Sequence, residues 1–221
     1  MGNLRVLIIF FGLLLVVAVF TYPSWRPRPI LETAEDIFPE LDAQLRPVFD
    51  DLPSNLQTIY LTLRQENSII AEALVTARLT PPERLIEDMP NVSNAVRITQ
   101  TTFAPVVLLP TETKREIPFY QELYEAFGEV SIYRYPDERL LLRLDNFSVV
   151  HGPDLRVYIV VLRDPLNAEE VGIDFIDLGA LKSNSGNQNY DIPRGLAIRQ
   201  YGSIVIYDRL SGHVFGVARI G

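Results

Sequence analysis

An apolar run opens the chain. It begins at Val6 and continues to Phe20 with Gly12 as its one interruption, and no charge follows before Arg26. A helix over the 20 uncharged residues from Val6 to Trp25 would reach about 30 Å, the thickness of a bilayer's hydrocarbon core. Tyr22 and Trp25 supply rings suited to the interface, and Pro23 stops the helix. Residues 1–25 are therefore expected to form a transmembrane helix. Val17-Ala18-Val19-Phe20-Thr21-Tyr22 offers no small-x-small cleavage site, and no cysteine stands where a lipoprotein signal needs one. An uncleaved signal-anchor is the expectation, with the body on the outer side of the membrane.

Residues 26–118 read as a proline-rich stalk with a helical segment. Pro23 to Pro29 alternates prolines and favours an extended spacer. A helix is expected from Ser54, where Ser54-Asn55-Leu56-Gln57 has the form of a capping box. Leu56, Tyr60, Leu63, Ile70, Leu74 and Ala77 then fall on one face, and Thr80-Pro81-Pro82 ends the run. That stripe suits packing on Ile37, Phe38, Leu41, Leu45 and Phe49, or docking of a partner. Val96, Ile98 and Val106 to Leu109 are short strand candidates.

From Phe119 the period shortens. Val130 to Tyr135 alternates, Pro136-Asp137-Glu138-Arg139 turns, and Leu140 to Leu144 returns as a hairpin partner. Leu155 to Leu162 is nearly continuous in apolar residues, as a central strand would be, and Ser203 to Tyr207 and Val214 to Ile220 add two more. The whole is expected to be α+β: a transmembrane helix, a helical segment, and an antiparallel β-sandwich-like domain over residues 119–221.

Charge and composition narrow the function. The net charge is −8, and every charge in the first 29 residues is an arginine, so the acidity lies in the body. An acidic body repels phosphate backbones, and no nucleic-acid partner is expected. The chain has no cysteine, which excludes disulfides, thiol nucleophiles and thiolate metal sites within it.

Three ordered blocks then point to a family. Leu144-Asp145-Asn146-Phe147 with Gly152-Pro153-Asp154-Leu155 and Val157-Tyr158 is the first. Leu178-Gly179-Ala180-Leu181-Lys182 with Gly186-Asn187-Gln188-Asn189-Tyr190 and Ile192-Pro193 is the second. Ser203 to Tyr207 with Val214 to Ala218 is the third. Together they resemble the DM-thirteen, or electron-transfer DM, domain over roughly Gly128 to Gly221. The resemblance implies a small sandwich-like extracytoplasmic module, often tethered to membranes and sometimes joined to redox domains. It makes Asn146, Gly152, Pro153, Tyr158, Gly186, Tyr190 and Pro193 structural motif positions. The family commonly ends its penultimate strand in a Trp-Cys pair whose cysteine is the proposed redox centre. Tyr207 and Asp208 stand there in this chain, and an aspartate can do no thiol chemistry.

Candidate binding residues are Asp154, Lys182, Asn187, Gln188 and Asp208. Lys182 is one of two lysines and sits among amides, as an anion- or glycan-binding loop would arrange them. The plainer alternative has those amides bonding backbone and Lys182 solvated or paired with Asp154. Gly152 is expected to supply a backbone angle closed to other residues, and Asp154 to accept backbone N–H groups in the turn. His151, His213, Asp154 and Asp208 would make a metal site only if two loops met, and no metal or cofactor is expected. Neither hydrolase nor nucleotide motifs occur, so no catalytic residue is assigned. The expected function is a membrane-anchored, extracytoplasmic, non-enzymatic binding or assembly module with a protein or glycan partner. The alternative is an accessory of a membrane electron-transfer complex that positions a redox partner without carrying electrons.

Overall fold

Alternation along one strand decides the architecture. Leu140, Leu142 and Leu144 of β4 (Leu140–Val149) enter the main core, while Leu141, Arg143 and Asp145 point the other way. The computed structural model describes residues 34–81, 83–103 and 125–220. These belong to one compact unit, Ala34–Gly221. The expected span Val6–Trp25 and the strand candidate at residues 106–109 lie outside the described residues. Among the described residues, no helix is long and apolar enough to cross a membrane.

The fold is α+β. Among the described residues four helices come first: α1 (Ala34–Ile37), α2 (Arg46–Asp50), α3 (Ser54–Glu66) and α4 (Ser68–Leu79). Two sheets follow. One has the order β1-β7-β4-β3-β2, from Arg84–Ile86, Ser185–Ile192, β4, Ala126–Arg134 and Val96–Thr102. The other has the order β6-β5-β8-β9, from Phe175–Ala180, Leu155–Val160, Ser203–Asp208 and His213–Arg219. A short helix α5 (Ala168–Val171) lies between β5 and β6. Every pairing is antiparallel except β1 with β7, which is parallel.

The sheets share one core. Val130, Ile132, Leu142, Leu144 and Phe147 of the first sheet join Val157, Ile159, Ile204, Ile206 and Phe215 of the second in a continuous apolar cluster. Phe38, Phe49 and Tyr60 extend it through the helices, with ring centroids 5.3 and 6.3 Å apart. Burial drives the Tyr60 hydroxyl up to about 12, partly opposed by the Arg78 charge. A second cluster lies on the outer face of the four-stranded sheet. There Tyr158 stacks on Phe175 at 4.2 Å and on Tyr207 at 5.3 Å, beside Val171 of α5.

Several details differ from the sequence reading. The apolar stripe is carried by two helices, because Asn67 breaks the run and its side chain accepts the Ile70 N–H to start α4. No capping box forms at Ser54. Pro53 is the N-cap, and Gln57 donates instead to the carbonyls of Phe49, Asp50 and Leu52, tying α3 to α2. Residues 187–189 lie in strand β7 rather than in a loop. The five-stranded sheet also reaches upstream of residue 119, through β1 and β2.

The docking of β1 depends on one glycine. Gly186 has φ +111°, and a Cβ built on it would lie 1.7 Å from the Leu85 carbonyl oxygen. A second constrained spot is the bulge in β4, where Asn146 takes φ 49° opposite Gly128 at φ 123°. The Asn146 N–H is held there by the Asn187 side-chain oxygen at 2.9 Å.

Gly186→Ala should therefore displace β1, because both the angle and the contact oppose a side chain. The expected loss is about 2–4 kcal/mol by urea unfolding. Amide exchange at residues 84–87 should rise more than at the Leu142 amide, and unchanged exchange at β1 would contradict this account.

Candidate functional site

Two polar clusters occupy the sandwich. The first lies where β8 ends. Asp208 is 0 % exposed. One carboxylate oxygen accepts the Asp154 N–H at 2.9 Å and the other accepts the Ser211 N–H at 2.8 Å. The expected roles in this turn are thus exchanged: Asp208 accepts the backbone donor, while the Asp154 carboxylate takes Arg209 Nε at 2.7 Å. Gly152 is needed for space rather than for an unusual angle. A Cβ there would come within 2.7 Å of both the Asp208 carboxylate and Leu155, and 2.8 Å from Phe215. Pro153 completes this partly exposed turn, beside a cleft of about 260 Å³ that also takes in His151, Leu181 and Asn184.

His151 and His213 serve different neighbours. His151 Nδ1 lies 3.1 Å from the Ala77 carbonyl at the end of α4. His213 is paired with Asp208 across β8 and β9. Burial pushes the His213 imidazole below its usual 6.5, against the opposing pull of the Asp208 and Glu66 carboxylates. Among the described residues, no group of three or more histidines and carboxylates is placed to hold a metal.

The second cluster lies on the outer face of the five-stranded sheet. Arg143 is 3 % exposed in the middle of β4. Its Nε meets Asp145 at 2.8 Å, and its Nη1 donates to the Glu87 carbonyl and the Asn189 side-chain oxygen, both at 3.0 Å. A longer contact of 3.4 Å reaches the Asp88 carbonyl. A buried guanidinium is tolerable because its Nε and Nη1 donors are met by this set. The chain after β1 is thereby pinned across β4 and β7. Lys182 pairs with Glu87 at 2.7 Å, not with Asp154, and also donates to the Asn189 carbonyl at 2.8 Å. The other Glu87 oxygen takes the Asn189 N–H at 2.6 Å. Burial alone would raise the Glu87 carboxyl. The hydrogen bonds from Lys182 and Asn189, with the Lys182 and Arg143 charges, outweigh it and hold the group below its usual 4.5.

The remaining candidates support this face from behind. Gln188 is 0 % exposed, and its amide bonds both the N–H and carbonyl of Ser183 and accepts the Tyr190 hydroxyl. Gln188 therefore presents no group outward. The Tyr190 hydroxyl also accepts the Lys182 N–H at 3.0 Å, and burial drives it up to about 12. Asn187 holds the β4 bulge, as described above. Pro193 is exposed after β7 and accepts the Leu196 N–H. Asp154 and Lys182 consequently line separate clefts. Arg143 and Glu87 escaped the sequence reading. Arg143 stood out as a charge inside an apolar strand, whereas Glu87 carried no signal in its proline-rich surroundings.

These features define a two-sheet β module whose turn is closed by a buried carboxylate. Residues 119–220 match the family described as Electron transfer DM13. The C-terminal part of the chain is thus a DM13 domain, and β1 and β2 stand upstream of it. No curated protein and no solved structure matches the chain.

The two aspartates of the turn should separate cleanly. Asp208→Ala strands two partly buried backbone donors and empties a fully buried position, and should cost about 2–4 kcal/mol. Asp154→Ala removes only a largely exposed ion pair and should cost about 0–1 kcal/mol. Equal losses in urea unfolding would refute this division. His213 gives a pH signature. Its folded pKa lies below the unfolded value, so the unfolded chain binds the proton first, and stability is lost as pH falls from about 6.5 through the folded pKa. His213→Gln should flatten that limb of a melting-temperature profile, whereas a profile unchanged from wild type would place the titration elsewhere.

Proposed function

We propose that this chain is a membrane-anchored, extracytoplasmic, non-enzymatic binding module whose DM13 domain serves as a scaffold rather than as an electron carrier. The observation that carries the reading is Asp208. At the position where the resembled family puts its proposed redox cysteine, the chain places a fully buried carboxylate with both oxygens on backbone N–H groups. An anchor of the turn replaces a reactive group. The uncharged stretch Val6–Trp25 supports the tether, and the proline-rich spacer after it supports a body held clear of the bilayer. The description of the matched family favours a second reading, an accessory that positions a redox partner in a membrane electron-transfer complex.

One preparation of the full chain tests both parts. It should stay with membranes through carbonate extraction, while a chain beginning at Ile30 should be released. In voltammetry the purified full chain should give no reversible wave between about −700 and +450 mV, the span of biological iron–sulfur centres. A reversible wave from the wild-type chain would overturn the scaffold reading. Co-purification of a haem or quinone protein would select the accessory role.

A further inference from the structure

A cleft of about 260 Å³ opens on the outer face of the five-stranded sheet, beside the Arg143 network. The ion-paired Glu87 and Lys182 line it together with Arg139 and Asp191, and Pro90 and Leu141 give it an apolar surface. We propose that this cleft binds one neutral sugar ring through neighbouring hydroxyls. The proposal rests on the binding-module reading and names the ligand class.

Charge selects a neutral ligand. The cleft contains two cations and two carboxylates. An anion would meet Glu87 and Asp191, and a cation would meet Lys182 and Arg139. The layout also disfavours an extended peptide. Leu141 and Asp191 are register partners on β4 and β7, so the floor is paired sheet with no open strand edge to extend.

Hydrogen-bonding capacity selects hydroxyls. Lys182 has three N–H donors and commits two, to Glu87 and to the Asn189 carbonyl. Each Glu87 oxygen takes one donor and retains a lone pair. A hydroxyl is donor and acceptor at once, and this pair can answer both functions. Arg139 and Asp191 offer a second donor and a second acceptor in the lining. The Arg139 guanidinium lies 4.2 Å over the Tyr135 ring, an arrangement that leaves its in-plane donors open. Among the described residues, neither the Arg139 guanidinium nor the Asp191 carboxylate has an ion-pair partner. Two donors and two acceptors beside the apolar surface of Pro90 and Leu141 match a ring with hydroxyls at its rim and C–H groups on its face. The volume lies below the roughly 300–1,000 Å³ of drug-sized pockets, which suits a single ring.

The site is preorganised. Buried Arg143 holds the chain at Glu87 and Asp88, so the Glu87–Lys182 pair is in place before a ligand arrives. Glu87 and Pro90 lie upstream of the DM13 match, so the cleft belongs to this chain's particular joining of that segment to the domain.

The test uses the full chain in micelles of dodecylphosphocholine, a detergent without a sugar headgroup. Methyl glycosides of mannose, galactose, glucose and N-acetylglucosamine are titrated to about 50 mM, a range suited to a small, shallow site. Amide shifts are followed by NMR. At least one glycoside should give saturable shifts at Lys182, Asn189 and Asp191. Asp191→Ala and Arg139→Ala should each weaken binding about three- to tenfold with unchanged melting temperature. Arg199→Ala, outside the cleft, should bind as wild type. Absence of saturable shifts with all four glycosides would overturn the site. So would wild-type affinity in both cleft variants, or tighter binding of inorganic phosphate to the same amides. Cleavage of a bound glycoside would uphold the site and instead overturn the non-enzymatic reading.

Discussion

A guanidinium cannot be taken out of water unless acceptors meet its donors. Arg143 is 3 % exposed on a sheet face that would otherwise be open, and the surrounding polar structure follows from that constraint. Its acceptors come from Asp145 on its own strand, Asn189 on β7, and carbonyls of the segment after β1. Holding that segment in place brings Glu87 to Lys182, and Lys182 to the Asn189 carbonyl and the Tyr190 ring. Gly186 lets β1 approach closely enough for this to happen. The parallel edge strand, the Glu87–Lys182 pair of the cleft and the burial of Arg143 are one arrangement viewed from three sides.

The other end of the sandwich is governed by a carboxylate. Asp208 satisfies two backbone donors in a pocket too tight for a side chain at Gly152. A thiol is a weak acceptor and could not match these bonds. Aspartate at the position where the resembled family commonly carries a cysteine is therefore more than the absence of a reactive group. It gives the turn an acceptor that the strand end can use.

Strands and their faces were legible because burial on one side imposes a two-residue period. The β3–β4 hairpin, the central β5 strand and the β8–β9 pair all carried that signal. Tertiary partners were not legible. Nothing local in Glu87 indicates a lysine 95 residues away, and nothing in Lys182 distinguishes Glu87 from Asp154. The Gly152-Pro153-Asp154 motif marked a turn, yet the direction of its hydrogen bonds depended on a strand end far along the chain. Gln188, read as a loop amide, falls on the inward face of β7, where its amide braces Ser183. The helical stripe was visible in the period of its apolar residues, but the break at Asn67 came from one capping side chain.

The position of β1 bears on what kind of module this is. A sheet edge left bare at β7 would offer unpaired backbone groups and expose Arg143. The upstream segment closes both by pairing with residues 185–187 and supplying carbonyls to the guanidinium. It also contributes a carboxylate and a proline to the adjoining cleft. Covering the edge and furnishing the cleft are the work of the same seven residues, 84–90. A segment that only capped the edge would need backbone pairing alone. The Glu87 side chain adds an oriented carboxylate to the lining of a recess, and that addition is what makes the covered edge chemically capable of recognition.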